Sequence, residues 1–284
     1  MSLPSPLALS LRLGDRTLSV GPEGELRLLS AEGLGGFSVA IASEAQSLTD
    51  GSAVIGHRVL PRRILLEVEV PSREDSDRCR ALLLSFFQPG ITGTLTVSRG
   101  AVSRVIDFLP EELTLIQPTC FDFLRARVTL FCADPYFRLP DDIRVSDADA
   151  VPFLAFPFTS LVGVGVTAGL SFASHRFYTD NVGDVSVGFT ATLRADGAAV
   201  NPTLSCGSLS LCIRDTLAAG DTYIISTCPG DKKLLKNGVP VFCFTLSSVF
   251  FTLPRGKSTV TLTSDSGEEN LTGALVYCPR YLGV

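Results

Sequence analysis

Turn signals recur through the second half of the chain at intervals of about ten residues, and this spacing restricts the folds open to it. They separate short apolar runs and occur at Asn181-Val182-Gly183-Asp184, Asp196-Gly197, Ala219-Gly220-Asp221, Pro229-Gly230-Asp231 and Asn237-Gly238. We expect Asp196-Gly197 and Asn237-Gly238 to form tight hairpin turns, because these residue types tolerate a positive φ. The pattern predicts an all-β second half, either a sandwich or a small barrel.

The first half predicts strands around a single helix. Apolar residues alternate with polar ones in two segments, as in half-buried strands. These segments contain Leu66, Val68 and Val70, and Leu124, Ala126, Val128 and Leu130.

Residues 72–87 predict the one strongly periodic helix. Ser72 and Asp75 resemble a capping box, and acidic residues crowd the first turn, where the helix dipole favours negative charge. Apolar residues then recur at helical spacing and predict a core-facing stripe of Cys79, Leu82, Leu83, Phe86 and Phe87. Pro89 cannot continue the helix and marks its end.

An acidic, turn-rich connection between residues 134 and 150 predicts a domain boundary. The chain has 284 residues, enough for two domains with separate cores. We therefore predict a mainly β protein, with a barrel-like N-terminal domain at residues 1–137 that holds the helix, and a C-terminal domain at residues 138–284.

Composition narrows the class of function. Hydrophobic residues make up 45% of the chain and charged residues 19%, as in a packed globular protein. The net charge of -5 argues against a nucleic-acid binder, which would normally present a basic face.

Residues 150–174 and 237–254 contain no charged residue and raise the question of a membrane. Proline and glycine interrupt the first stretch, and Pro240 with Ser247-Ser248 interrupts the second, so neither suits a membrane-spanning helix. We interpret both as buried strands and expect no membrane insertion. Residues 1–13 lack a basic region and predict a strand, not a signal peptide.

Cysteine and histidine usage predicts no metal site. The eight cysteines include no Cys-x-x-Cys pair, and His57 and His175 are the two histidines. Most cysteines alternate with apolar residues, so we interpret them as reduced, small core residues.

Four short patterns could suggest chemistry, and each has a simpler interpretation. Gly256-Lys257-Ser258 lacks the upstream glycine of a phosphate-binding loop and predicts a hairpin turn, and Asp265-Ser266-Gly267 predicts a solvated turn. Ser174 and His175 are neighbours, which would point to opposite faces of a strand, and Glu111-Glu112 predicts a loop edge. We therefore predict no catalytic, cofactor-binding or metal-binding residue, no cofactor and no enzyme activity.

Several short motifs follow one another in a particular order. In the first half they are Arg58-Val59-Leu60-Pro61-Arg62-Arg63-Ile64 before a strand, Leu84-Ser85-Phe86-Phe87-Gln88-Pro89 at the helix end, Gly93-Thr94-Leu95-Thr96-Val97, Arg104-Val105-Ile106 and Asp134-Pro135-Tyr136-Phe137. The second half adds Asn181-Val182-Gly183-Asp184, Asn201-Pro202-Thr203-Leu204, residues 217–224, Lys236-Asn237-Gly238, residues 250–256 and Tyr281-Leu282. This order resembles that of the distal tail proteins of siphophages and related prophages. A missing proline after the Asn181 turn, Lys257 in place of asparagine and the high cysteine content indicate a divergent member.

The resemblance implies a virion protein of the phage tail, assembled in the host bacterial cytoplasm. Such proteins form hexameric rings between the tail tube and a tail-associated lysin, tail tip protein or receptor-binding protein. The N-terminal domains would form the ring, and the C-terminal domain, a galectin-like β-sandwich, would project from it. A head-to-tail interface closes into a ring when its rotation is right.

Two other functions compete with this one. A sandwich could also be a carbohydrate-binding module for host-surface adhesion, but such faces present exposed aromatics and the chain has no Trp and five Tyr. A phage-associated hydrolase would need a catalytic constellation, and we identify none.

Overall fold

The structure is a computed structural model and describes residues 6–45, 50–119, 121–146 and 175–284. The chain forms two compact units, one of Met1–Pro140 with Arg280–Val284 and one of Asp141–Pro279. The sequence places the division after Phe137, and it does not predict that residues 280–284 belong with the first unit. The roles assigned to the two halves stay predictions.

Strands dominate the described part of residues 1–140. The elements are β1 (Leu7–Leu13), β2 (Arg16–Val20), β3 (Arg27–Glu32), β4 (Val39–Ala45), β5 (Ser52–Val59), β6 (Arg62–Glu69), α1 (Ser76–Phe86), β7 (Gly93–Arg99), β8 (Val102–Ile116), β9 (Arg125–Cys132) and β10 (Phe137–Arg138).

The main sheet of the first unit is antiparallel, in the order β2-β1-β7-β8-β9-β6-β3. The long strand β8 pairs with β7 up to Phe108 and with β9 from Leu109 onward. Because β2 and β3 are the two ends of the order, the sheet does not close into a barrel. The predicted mainly β class with one helix is confirmed.

Both predicted half-buried strands are confirmed. The alternating residues of β6 and β9 are buried in one core cluster with residues of β1, β7 and α1. Their polar neighbours form cross-strand ion pairs on the other face, Glu67 with Arg127 and Glu69 with Arg125. The hydrogen bond from Arg127 lowers the pKa of the Glu67 carboxyl below its usual value.

Helix α1 buries the stripe that the sequence predicts. Leu83, Phe86 and Phe87 are buried, and Cys79 and Leu82 pack against the same core. The capping box does not form: the helix begins after Asp75, which makes no side-chain capping bond. Ser72 instead accepts a hydrogen bond from the backbone N–H of Glu74 at 3.3 Å, a local turn before the helix.

The second unit consists of short strands. They are β11 (Ile143–Ser146), β12 (His175–Asn181), β13 (Phe189–Ala195), β14 (Ala199–Val200), β15 (Thr203–Cys206), β16 (Leu209–Cys212), β17 (Thr216–Leu217), β18 (Thr222–Ser226), β19 (Lys233–Lys236), β20 (Val239–Pro240), β21 (Gly256–Thr263) and β22 (Leu271–Tyr277), with a 3-10 turn at Glu268–Asn270.

Two sheets of the second unit share one core. Their orders are β11-β22-β13-β18-β19-β20 and β12-β21-β15-β16. Phe189 and Leu193 from the first sheet and Phe177 and Leu262 from the second belong to the same buried cluster. This arrangement is the sandwich that the turn spacing predicts.

One of the two predicted hairpin turns is confirmed. Asn237 and Gly238 adopt φ of 50° and 82° between β19 and β20. Asp196-Gly197 does not join two paired strands, so that prediction is wrong. A Cβ on Gly197 would lie 2.7 Å from the Asn270 side chain, so the glycine permits close packing there.

Residues 241–253, which we call the strap, lie between β20 of one sheet and β21 of the other. The strap lies along the edge of β16, where Val249 N–H donates to Ser210 O at 2.8 Å and Thr245 N–H to Cys212 O at 3.3 Å. It thereby covers an edge that could otherwise pair with another chain. The sequence predicts buried strands here, which is wrong for Phe242 and Leu246: their exposures are 95% and 110%.

The other charge-poor stretch, residues 150–174, lies outside the described residues. In the ranges that the structure describes, no helix is long and apolar enough to cross a membrane. The predicted N-terminal strand is confirmed as β1.

The final strand of the chain, β23 (Arg280–Tyr281), returns to the first unit. It pairs with β10, Phe137 opposite Tyr281 and Arg138 opposite Arg280. Tyr281 is buried in the core cluster of that unit. The first unit is therefore discontinuous in sequence, and the second unit is inserted between β10 and β23.

Candidate functional site

The structure places two of the four short patterns in strands. Gly256-Lys257-Ser258 begins β21 and pairs with β12, so it is neither a phosphate-binding loop nor the predicted hairpin turn. Glu111-Glu112 lies at a register shift inside β8, not at a loop edge. The Glu111 carboxylate accepts three hydrogen bonds from Arg63 Nε and Nη2, the shortest of them 2.8 Å, and these lower the pKa of Glu111.

The other two patterns also form no catalytic arrangement in the described residues. Asp265-Ser266-Gly267 is a turn in which Gly267 has φ of 72°, and Asp265 accepts a hydrogen bond from Asn201 at 2.7 Å. His175 Nε2 lies 2.9 Å from the backbone oxygen of Glu268, and Ser174 lies outside the described residues. Within these residues, no three His, Cys, Asp or Glu side chains are arranged to hold a metal ion.

One polar cluster in the second unit combines an acid, a phenol and an amine. Tyr223, fully buried, donates its hydroxyl to Asp215 Oδ2 at 2.5 Å, and Lys236 Nζ donates to the same oxygen at 2.7 Å. Burial, followed by the bond to Asp215, raises the pKa of Tyr223, so the phenol keeps its proton. Burial raises the pKa of Asp215, but the bonds from Lys236 and Tyr223 outweigh it and the net pKa is lowered. The cluster anchors β17, β18 and β19 together.

We expect Asp215→Asn to lower the free energy of unfolding at pH 7 by about 1–2 kcal/mol, because Lys236 and Tyr223 lose a charged acceptor. A carboxyl with a lowered folded pKa stabilises above its unfolded pKa, about 3.9, and this contribution is lost as the pH falls through the folded value. The difference from the unsubstituted chain should therefore narrow from pH 7 to pH 3 in urea titrations. Asp265→Asn, at an exposed position, is the matched control; an equal loss in both variants would contradict the role of the cluster.

The feature best suited to assembly is a two-stranded hairpin, residues 39–59, formed by β4 and β5. It forms a sheet of its own, separate from the main sheet of the first unit. Among its described residues no side chain is buried, and Ile41, Val54 and Ile55 are 64%, 66% and 69% exposed. An isolated two-stranded hairpin is marginally stable in water. The hairpin thus presents apolar side chains and open backbone edges that a partner could cover.

Two of the apolar side chains of the hairpin, those of Ile41 and Val54, lie on one face. Ile41 lies opposite His57, and Ser43 lies opposite Val54, with a register shift between Ala42 and Ser43. Ile41 and Ser43 are two residues apart on β4, so Ile41 and Val54 point to the same side. Lateral pairing with another copy could bury this face and one edge together.

Arg62 holds the chain on both sides of the hairpin: it lies just after β5, and it binds the loop that precedes β4. Its Nη1 donates to Gly33 O and one Nη2 bond reaches Gly36 O, both at 2.7 Å, which holds the loop before β4. Its Nε donates to Pro135 O at 2.8 Å, and Nη2 also donates to Leu282 O at 2.7 Å. The guanidinium lies 5.0 Å from the centroid of the Phe137 ring and is 8% exposed. Burial lowers the pKa of Arg62.

A cavity of about 260 Å³ opens beside this anchor. Gly33, Gly35, Gly36, Phe37 and Arg63 are among the residues that line it. Phe37 is 62% exposed at its rim. The hairpin and the cavity are the two parts of the candidate assembly surface in the first unit.

The sequence did not predict this surface. Residues 39–59 are rich in small residues and show no strong alternation, and Gly51 at the turn between the strands was their clearest signal. The motif at residues 58–64 does contain Arg62, but nothing in it reveals four carbonyl partners spread over the chain.

Comparison with known proteins finds similarity in structure alone. No protein-family profile matches the sequence, and no curated protein matches it. The Dit protein of phage SPP1, described as a paradigm of hub adsorption apparatus in phages that infect Gram-positive bacteria, superposes with a TM-score of 0.68. The match has 12% identity and covers 96% of this chain and 99% of that one. The chain has a Dit-like fold.

The Dit-like fold extends over both units, since the match leaves little of either chain uncovered. A structure of the phage P2 baseplate in its activated conformation with calcium is also similar, at a TM-score of 0.49 and 8% identity over the full length of both chains. That likeness is too weak to support the assignment.

Proposed function

We propose that this chain is a structural hub protein at the distal end of a long phage tail. The observation that carries the proposal is the Dit-like fold over 96% of the chain at a TM-score of 0.68. This role implies a location in the virion. The chain would position other tail proteins, and it would need neither catalysis nor a cofactor.

The finer proposal is a hexameric ring that joins the tail tube to the tail tip. Residues 1–137 assemble the ring, and residues 138–284, a galectin-like sandwich, decorate it. The tail tube protein binds one face, and a tail-associated lysin, tail tip protein or receptor-binding protein binds the other. The ring is assembled in the cytoplasm of the bacterial host.

The hairpin supports self-assembly for a physical reason. Its exposed apolar face and open edges lie at a different place from the cavity at its base, so one copy can reach into the next in a head-to-tail contact. Such a contact buries large apolar side chains that otherwise remain in water. It also turns a marginal two-stranded sheet into part of a larger one.

Negative-stain images and light scattering of the purified chain test the ring directly. We expect six-fold particles and a mass six times that of the chain. A monomeric mass at every concentration, without rings, would contradict the finer proposal.

We expect Val54→Asp to prevent ring formation and leave the monomer folded, because an interface cannot easily bury an unpaired charge. Val182→Asp is the matched control, since Val182 is 57% exposed and lies outside the hairpin. Light scattering gives the mass and circular dichroism the fold. Rings that survive Val54→Asp, or that both substitutions abolish equally, would remove the hairpin from the interface.

One observation favours the alternative of a carbohydrate-binding module. Tyr178, 62% exposed, lies on β12 with Arg176 and Asp180 on the same face, so an aromatic ring stands between hydrogen-bonding groups. A glycan-array screen of the full chain distinguishes the two functions. Saturable binding that is lost in Tyr178→Ala would favour adhesion as a further role of the second unit.

A further inference from the structure

The strap presents two large apolar side chains to solvent. Phe242 and Leu246 are almost fully exposed, whereas Phe244 and Phe250 between and after them pack against the core and against each other, ring centroids 5.0 Å apart. Exposed apolar side chains of this size mark interaction sites when they occur together. Val249 of the strap is 46% exposed, so Phe242 and Leu246 are the strap side chains that lie almost wholly in solvent.

Hydrogen bonds hold the tip of the strap in a turn. Ser248 N–H donates to Thr245 O at 3.0 Å, closing a turn, and the Thr245 and Ser248 hydroxyls lie 2.8 Å apart. Ser248 Oγ also bonds to the backbone of Cys212. Leu246 therefore projects from a turn that is already ordered, and a partner can bind it with little loss of conformational entropy.

Two cationic residues, Arg214 and Lys232, lie next to the strap, although the whole chain carries a net charge of -5. Arg214 donates its backbone N–H to Cys243 O, next to Phe242, and Lys232 Nζ lies 5.9 Å from the Phe250 ring centroid. Neither forms an ion pair within the described residues. The nearby acids form ion pairs of their own: Asp231 pairs with Lys233 at 2.8 Å, and Asp215 and Asp221 share Lys236. The strap itself has no charged residue.

This chemistry fits a bilayer better than a protein. A stable protein interface buries about 800 Å² on each partner and forms about one hydrogen bond per 100–200 Å². Two separate side chains offer far less area, and the hydroxyl groups of the turn already bond to one another. Apolar side chains that enter the acyl boundary, with cations at the level of anionic headgroups, are the general form of a peripheral membrane contact.

We propose that the strap is a shallow membrane-contact site: Phe242 and Leu246 enter an anionic lipid bilayer, and Arg214 and Lys232 bind its headgroup phosphates. The expectation of no membrane insertion concerned a membrane-spanning helix, which a shallow contact does not require, and the buried strands expected at residues 237–254 are not found at these two side chains. The site is independent of ring formation, although several copies on one ring would add their affinities.

Sedimentation of the full chain with vesicles tests the proposal. We expect binding to vesicles of phosphatidylcholine with phosphatidylglycerol, weaker binding to phosphatidylcholine alone, and loss of the difference in high salt. The double variant F242S/L246S should bind about tenfold more weakly for each side chain lost. R214Q/K232Q should lose the preference for the anionic lipid. Because Phe242 and Leu246 are exposed, the melting temperature of these variants should not change.

A fluorescence measurement locates the contact. The chain has no Trp, so F242W introduces a single reporter, and its emission should shift to the blue when anionic vesicles are added. F121W is the matched control, since Phe121 is also exposed, at 76%, but lies beside Asp122 in the first unit. No vesicle binding, binding that F242S/L246S leaves intact, or an equal shift in F121W would each overturn the proposal. A blue shift of F242W with rising protein concentration and no lipid would overturn it in favour of a second copy.

Discussion

Replacing Arg62 with methionine is expected to lower the free energy of unfolding of the first unit by about 3–5 kcal/mol. Methionine fills a similar volume, but the carbonyls of Gly33, Gly36, Pro135 and Leu282 then lose their donors. These four hydrogen bonds are partly buried, and a carbonyl that loses its donor in such a place costs more than an average hydrogen bond contributes. Denaturant titration, with hydrogen exchange to assign the loss to the first unit, measures the effect.

Arg63→Met is the matched control, because Arg63 is the next residue and its side chain is 65% exposed. Its pair with Glu111 is at the surface, so the midpoint of unfolding should hardly move. Arg62→Lys should be intermediate, because an ammonium has three donors and lacks the planar fork that reaches several carbonyls at once. Equal effects of Arg62→Met and Arg63→Met would refute the role assigned to Arg62.

Deleting residues 280–284 is expected to destabilise the first unit by about 5 kcal/mol or more. The deletion removes buried Tyr281, the partner strand of β10 and the Leu282 carbonyl that Arg62 binds. Arg104, which stacks 3.7 Å from the Tyr281 ring centroid and bonds to Gly283 O, also loses both contacts. Since a domain is stable by about 5–15 kcal/mol in total, much of the first unit should unfold.

Hydrogen exchange read peptide by peptide tests this prediction. Protection should fall in β8 and β10 and persist in β13 and β18, whose core is in the second unit. Arg280→Gln is the control, because it removes only the partly exposed pair with Asp134 and the contact with the Tyr136 ring, and it should cost less than about 1 kcal/mol. Full protection of β8 in the shortened chain would show that residues 280–284 are dispensable.

Local patterns were sufficient for much of the fold. The alternation in β6 and β9, the stripe on α1 and the Asn237-Gly238 turn all depend on neighbours within a few residues, and each is found as predicted. The turn spacing also predicts two packed sheets in the second unit. The same reasoning predicts a hairpin at Asp196-Gly197, where none forms. There the glycine instead allows the Asn270 side chain to pack closely.

The remaining features depend on contacts between distant residues. Arg62 bonds to Leu282, and β10 pairs with β23, and no local periodicity carries that information. The strap shows a second reason. The hydrophobic residues at 237–254 predict burial, but the strap covers the edge of β16 while some of its hydrophobic side chains stay exposed. The candidate assembly surface was missed because β4 and β5 are built mostly from small residues with weak periodicity.

The insertion of the second unit between β10 and β23 has a consequence for synthesis. A ribosome releases residues 1–140 long before residues 280–284, so the first unit waits, without its last strand, while the whole second unit emerges. Arg62 can bind Leu282 only after the whole second unit has been synthesised. Chains that terminate before residue 280 therefore lack a finished first unit, and the topology itself selects against them in assembly.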